Sequence, residues 1–70
     1  MSVYKVIEII GTSSTSWADA AAVAVAQARE TLRDIRVAEV VKQDIDVGED
    51  GSLTYRTKLS VSFKYEGESD

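Results

Sequence analysis

The sequence predicts an α+β domain of order β–α–β–β: a three-stranded antiparallel sheet in the spatial order 1-3-2, with one helix packed on it. Three observations predict it. A β-branched run opens the chain at 3–10, an alanine-rich stretch of helical period follows at 17–34, and two further strand-like runs, 35–47 and 53–65, flank the turn sequence GEDG. A helix between the first two strands makes them parallel through a right-handed crossover. The third strand, joined to the second by a hairpin, then fits between them and pairs antiparallel with both, a split β–α–β unit.

The first strand, VYKVIEII from Val3 to Ile10, is rich in β-branched residues, and Gly11 is expected to end it. The polar loop TSSTS at 12–16 leads into the helix, with Ser16 as N-cap and Asp19 three residues on, where an acid suits the helix N-terminus. From Trp17 to Asp34 the composition is helical, since alanine and straight-chain residues propagate helix well. Trp17, Ala21, Ala24, Val25, Ala28 and Leu32 follow the i, i+3, i+4 spacing of a buried stripe. Ala20, Ala24 and Ala28 line up as well, which permits a close approach to the sheet. Arg29 and Arg33 read as part of a solvated face.

The second strand spans Ile35 to Val47. Gly48 to Gly51 forms the hairpin turn, because Asp-Gly favours the left-handed conformations such turns use. In the third strand, Leu53 to Tyr65, Tyr55, Leu59, Val61 and Phe63 alternate with polar residues, and Thr57 continues the apolar series with a hydroxyl. The acidic ending 66–70 is expected to be a flexible tail of a single domain covering 1–70.

A turn centred between Glu49 and Asp50 sets Gln43 opposite Arg56, Val41 opposite Lys58 and Glu39 opposite Ser60. Ala38, Val40, Tyr55, Leu59, Val61 and Phe63 then face the helix. Val37, Glu39, Val41, Gln43, Arg56, Lys58, Ser60 and Ser62 share the other face. This mosaic of apolar and charged groups suits a subunit interface or a polar pocket better than bulk water. A chain of 70 residues also buries too little surface to be comfortable alone.

Composition narrows the chemistry. There is no cysteine and no histidine, so disulfides, thiolate chemistry and the commonest transition-metal ligand are absent, and a bound metal would be a hard cation held by oxygens. Twelve acids against eight bases give a net charge of −4, a poor match to nucleic acid. No apolar run is long enough to span a membrane and no signal-peptide pattern opens the chain, so the cytoplasm is the expected location. No nucleophile–base pair is visible, and no enzymatic activity is expected.

YKVIEIIGTS at 4–13, the alanine-rich helix, VAEVV at 37–41 and LTYRTKLSVSFKYE at 53–66 together resemble the dodecins. The resemblance spans nearly the whole chain, in order and spacing. It implies a hollow homododecamer in which copies of the chain cover the second face of the sheet. It also implies flavin binding, with flavins stacked on a tryptophan early in the second strand and meeting a glutamine on the third. Val37 and Arg56 stand at those two places, and Gln43 is grouped with them as a flavin-equivalent position. Valine offers no aromatic face, so flavin is not expected to bind well. The one tryptophan, Trp17, is expected in the core.

IRVA at 35–38 and SWADAA at 16–21 are closer still to a branch of the family, the calcium dodecins. That likeness implies calcium as the ligand and, from the acids in the strands, Glu8, Asp44 and Asp46 as its candidate ligands. Taken singly, each of the three reads as an ordinary solvated or salt-bridged carboxylate. The acids of DIDVGEDG do not form an EF-hand loop, which needs a terminal glutamate. The expected partners are further copies of the chain, without nucleic acid or membrane. Flavin storage in an altered pocket and a purely structural assembly are the alternatives.

Overall fold

The computed structural model describes residues 2–65, so the expectation for 66–70 lies outside the described residues. The elements are β1 (Tyr4–Ser13), α1 (Trp17–Thr31), β2 (Ile35–Val47) and β3 (Leu53–Lys64). They form one sheet of order β1-β3-β2, with β3 antiparallel to both neighbours. The predicted architecture and strand order are those observed.

β1 does not stop at Gly11. It runs on to Ser13, pairing Gly11 with Thr57 and Ser13 with Tyr55. Gly11 is buried where the helix crosses the strand. A Cβ there would overlap the Ala20 carbonyl oxygen and stand 2.8 Å from the Ala24 Cβ. The alanine line of the helix and the glycine of the strand are therefore one device: both surfaces are kept flat so that two backbones can touch.

The helix starts as predicted. Ser16 is extended and its hydroxyl accepts a hydrogen bond from the Asp19 amide at 2.9 Å, while the Ser13 hydroxyl donates to the Asp19 carboxylate at 2.7 Å. It ends earlier than predicted, at Thr31 rather than Asp34. Leu32 is already extended, its amide bonded to the Ala28 carbonyl at 2.9 Å, and Asp34 takes the left-handed conformation at φ 56°. Asp is among the few residues that accept this region, which turns the chain directly into β2.

The hairpin explains a correction of register. The loop spans five residues, closed by Gly48 N–H to the Ser52 carbonyl at 2.8 Å, with Gly51 at φ +89°. It is centred on Asp50, so next to the turn Asp44 pairs with Arg56, Gln43 with Thr57 and Lys42 with Lys58. A bulge between Val40 and Lys42 then absorbs one residue, and beyond it Glu39 faces Ser60 as predicted, with Val37 facing Ser62. Gln43 thus lies opposite Thr57 on the helix side of the sheet, not beside Arg56, and Val41 is the extra residue rather than the partner of Lys58.

Leu59 and Val61 of β3 are fully buried against Ala24, with Ile7, Ile9, Ala21, Val25 and Ile35 packed around them. Each large side chain of this kind contributes about 1.5–3 kcal/mol. Thr57 is also fully buried, and its hydroxyl donates to the Trp17 carbonyl at 2.9 Å, so its polar atom is satisfied. The rest of the buried apolar set is alanine: Ala20, Ala24 and Ala28.

The helix lies over β1 and β3 and barely reaches β2. Ala38 and Val40, expected under the helix, are exposed instead, as are Val37 and Val41. The radius of gyration is 14.5 Å, against about 11 Å for a compact chain of this length. One copy therefore carries a thin core on one side and a long, bare, largely apolar strand on the other.

Candidate functional site

The face of the sheet turned away from the helix is ordered in rows by the pairing. Val6, Ser62 and Val37 form one row; Glu8, Ser60 and Glu39 the next; then Ile10, Lys58 and Lys42; then Thr12, Arg56 and Asp44; and Thr54 pairs with Asp46 beyond them. An acidic row thus abuts a basic row. The bulge after Val40 produces this order, because it returns Lys42, Asp44 and Asp46 to this face.

Two ion pairs use most of the nearby charge. Arg56 grips Asp44 with two hydrogen bonds, Nε to Oδ1 at 2.7 Å and Nη2 to Oδ2 at 3.0 Å. This fork-to-fork geometry is the strong form of such a contact. Lys58 Nζ stands 3.2 Å from Glu8 Oε1. The hydrogen bonds from Arg56 hold the Asp44 carboxyl below the usual carboxylate range, and the positive charges of Arg56 and Lys42 act in the same direction. Arg56 is raised in turn by Asp44.

Behind this row Trp17 fixes the backbone. Its indole N–H donates to the Asp44 carbonyl oxygen at 2.9 Å, and its ring meets Tyr55 edge-on with centroids 5.3 Å apart. Asp44 is therefore held twice, through its carbonyl by the helix and through its side chain by β3. Trp17 belongs to the helix side, half-buried, and does not stand on the outer face.

A cavity of about 120 Å³ opens between the basic row and the Arg56–Asp44 pair, lined by Ile10, Lys42, Asp44, Arg56 and Lys58. A second, apolar groove of about 410 Å³ runs between α1 and the outer edge of β1, past Ile7, Ile9, Val23 and Leu32. It is larger but carries no ionisable side chain.

Of the predicted metal ligands, Asp44 and Asp46 share the outer face two residues apart, and Glu8 lies on the same face across β3. Glu8 pairs with Ser60 and Asp44 with Arg56. Those partners are four residues apart on one strand, or about 14 Å at ~3.4 Å per residue, so one chain does not bring Glu8 to Asp44. No group of three or more metal-ligating side chains is assembled among the described residues. Asp46 has no ion pair among them. Of the flavin-equivalent positions, Val37 is 59% exposed on this face and Arg56 is held by Asp44, while Gln43 is on the helix side. Glu39 and Lys42 were not singled out from the sequence. Knowing the bulge would have placed Lys42, and the alternation of β2 already placed Glu39 on the face.

The Arg56–Asp44 pair predicts an acid response of definite sign. The folded carboxyl titrates below its unfolded value of about 3.9, so its contribution is full above that pH and is lost as pH falls through the lower folded value. In a carboxyl-carbon NMR titration, Asp44 should titrate below an unpaired aspartate, and Arg56→Gln should return it to the ordinary range. An Asp44 midpoint unchanged by that substitution would mean the pair does not form in solution.

Among the described residues no helix is long and apolar enough to cross a membrane. The sequence profile of the Dodecin family matches residues 3–66. A calcium dodecin of Mycobacterium tuberculosis is 64% identical over 64 residues, covering 91% of this chain and 90% of that protein. A dodecin of Thermus thermophilus is 39% identical over 64 residues, covering 91% and 93%. A crystal structure of calcium dodecin from Mycobacterium tuberculosis, described as calcium chelating and as having a novel calcium-binding site, superposes with a TM-score of 0.88 at 60% identity, covering 96% of each chain.

Proposed function

The chain belongs to the dodecin family, and from that premise we propose that it forms a closed homododecamer that binds a small ligand without catalysis, calcium in preference to flavin. The observation that carries the preference is the outer face at Val37 and Arg56. An isoalloxazine needs an aromatic surface to stack on. Val37 supplies none, Trp17 is committed to the helix side, and the Arg56 guanidinium is clamped to Asp44. The name of the 64%-identical relative points the same way.

The donors of one chain do not fit a calcium ion. Calcium takes about six to eight oxygens. Here both Asp44 oxygens accept from Arg56 and Glu8 pairs with Lys58, which leaves Asp46 and Glu39 without an ion pair on this face among the described residues. The ion therefore belongs at a contact between copies, where Asp46 is repeated and Asp44 or Glu8 from a neighbour, with backbone carbonyls and water, completes the shell.

Thermal melts with calcium, magnesium or chelator test the reading, beside a flavin fluorescence titration. Calcium should raise the melting temperature by mass action, and magnesium should do less because it sheds its water reluctantly. Asp46→Asn should reduce the calcium response, Asp44→Asn and Glu8→Gln should do so if their carboxylates join the shell, and flavin fluorescence should be little quenched. Identical melts with strong flavin quenching would favour flavin storage; identical melts without quenching would favour a purely structural assembly.

A further inference from the structure

We propose that Lys42, Lys58 and Arg56 form a binding site for a small tetrahedral oxyanion, free phosphate or the phosphate group of a small metabolite, in the cavity over Ile10. The inference does not depend on calcium.

The register carries it. Lys42 and Lys58 stand directly opposite each other on neighbouring strands of the same face. Like charges in that relation destabilise a sheet. They meet only because the bulge after Val40 turns Lys42 onto this face. Without the extra residue Lys42 would point to the helix side. Bulges that re-aim a side chain are features of sites rather than defects of strands.

The charge around the cavity is not balanced by its own walls. Its lining holds three cations and one acid, and Arg56 occupies both oxygens of that acid. Lys58 has Glu8 on one side at 3.2 Å, leaving two of its three N–H groups for another acceptor. Lys42 has no carboxylate in salt-bridge range among the described residues. An anion between the two ammonium groups would convert their repulsion into two charge-assisted hydrogen bonds. Arg56 would add a guanidinium beside them without leaving Asp44, since it keeps further N–H donors.

Size selects the ligand. At about 120 Å³ the cavity holds a group of a few heavy atoms. It is well below the ~300 Å³ at which drug-sized ligand pockets begin. A phosphate or sulfate fits it. Ile10 lines the β1 side of the cavity with an apolar side chain that offers no competing charge.

The test compares the intact protein with Lys42→Gln at constant ionic strength, in chloride, sulfate, inorganic phosphate and glycerol 3-phosphate. Phosphorus NMR line broadening and thermal melts are read together. Phosphate and sulfate stabilise most proteins by exclusion, so the informative quantity is the difference between the two proteins. The intact protein should bind phosphate and Lys42→Gln should bind it about tenfold more weakly, the loss of one charged hydrogen bond. Binding of glycerol 3-phosphate with the same dependence on Lys42 would identify a phosphomonoester ligand; binding of the free ion alone would identify inorganic oxyanion. Equal broadening and equal melts in the two proteins would overturn the proposal. So would a fall in assembly mass for Lys42→Gln without a change in phosphate binding, which would give Lys42 to a carboxylate of a neighbouring copy.

Discussion

Gly11→Ala is expected to lower the melting temperature by roughly 10 °C or more, or to prevent folding. The added Cβ meets the Ala20 carbonyl oxygen and the Ala24 Cβ, the latter at 2.8 Å. Neither can rotate away, because one is backbone and the other has no rotamer. The helix must move off β1, and it carries one wall of the Leu59–Val61 core with it. Overpacking typically costs about 1–3 kcal/mol, and each kcal/mol is worth about 4–8 °C in a domain of this size. Gly51→Ala is the contrasting case. Nothing lies within 4 Å of a Cβ there, and only the backbone angle of φ +89° resists the change. Its cost should be about 1 kcal/mol. Differential scanning calorimetry of the two variants separates contact from dihedral strain, and equal, small shifts would refute the close approach.

Gly11 also shows what the sequence hides. The order of elements and the strand order followed from the helix placed between two strands, from the Asp-Gly turn and from the alternation in β3. A glycine after a β-branched run reads as a terminator by local rules, because its use here depends on what crosses it. The signal was present in the alanines at 20, 24 and 28 of the helix, which only make sense against a partner equally flat. The helix end failed for a similar reason: Leu32 and Arg33 are good helix formers, and the tertiary demand to enter β2 overrode them at Asp34.

The candidate site was half legible. Beyond the bulge the register read from the turn was right, and Glu39 opposite Ser60 was placed correctly. Between the bulge and the turn it was one residue out, because a five-residue loop and an extra residue in the strand compensate each other and leave the far end unchanged. Charge could have resolved it: opposite charges favour Asp44 across from Arg56 over Gln43 in that place. The same register sets Lys42 against Lys58, which is why charge pairing alone does not announce it. The ion pairs of Asp44 and Glu8 also alter the meaning of the acids, since a carboxylate held by a neighbour in its own chain must give up that partner before it can ligate a metal.

Val40→Lys is expected to break the proposed dodecamer into far smaller species. Val40 is 51% exposed on the helix side of β2, where the helix does not reach, and Ala38 and Ile45 lie exposed on the same face. Val37 and Val41 leave the opposite face and the bulge apolar too. A 13-residue edge strand of this kind, bare on both faces, invites association. In a closed assembly that association is finite, and every copy covers the strand of another. Removing a buried valine forfeits about 1.5–3 kcal/mol, and an ammonium left in its place without a partner costs several kcal/mol more. The defect is repeated in every copy, so the penalties accumulate around the shell. Within one chain the substitution is mild, because the position is half open to solvent and lies outside the core cluster. Light scattering should therefore show a loss of mass, with circular dichroism tracking how much of the fold survives in the freed chains. Loss of structure together with mass would mean the thin core of Leu59, Val61 and the three alanines does not stand without its neighbours. Retention of full mass by Val40→Lys would leave this face of β2 outside the interface and remove the reason for expecting assembly from a bare strand.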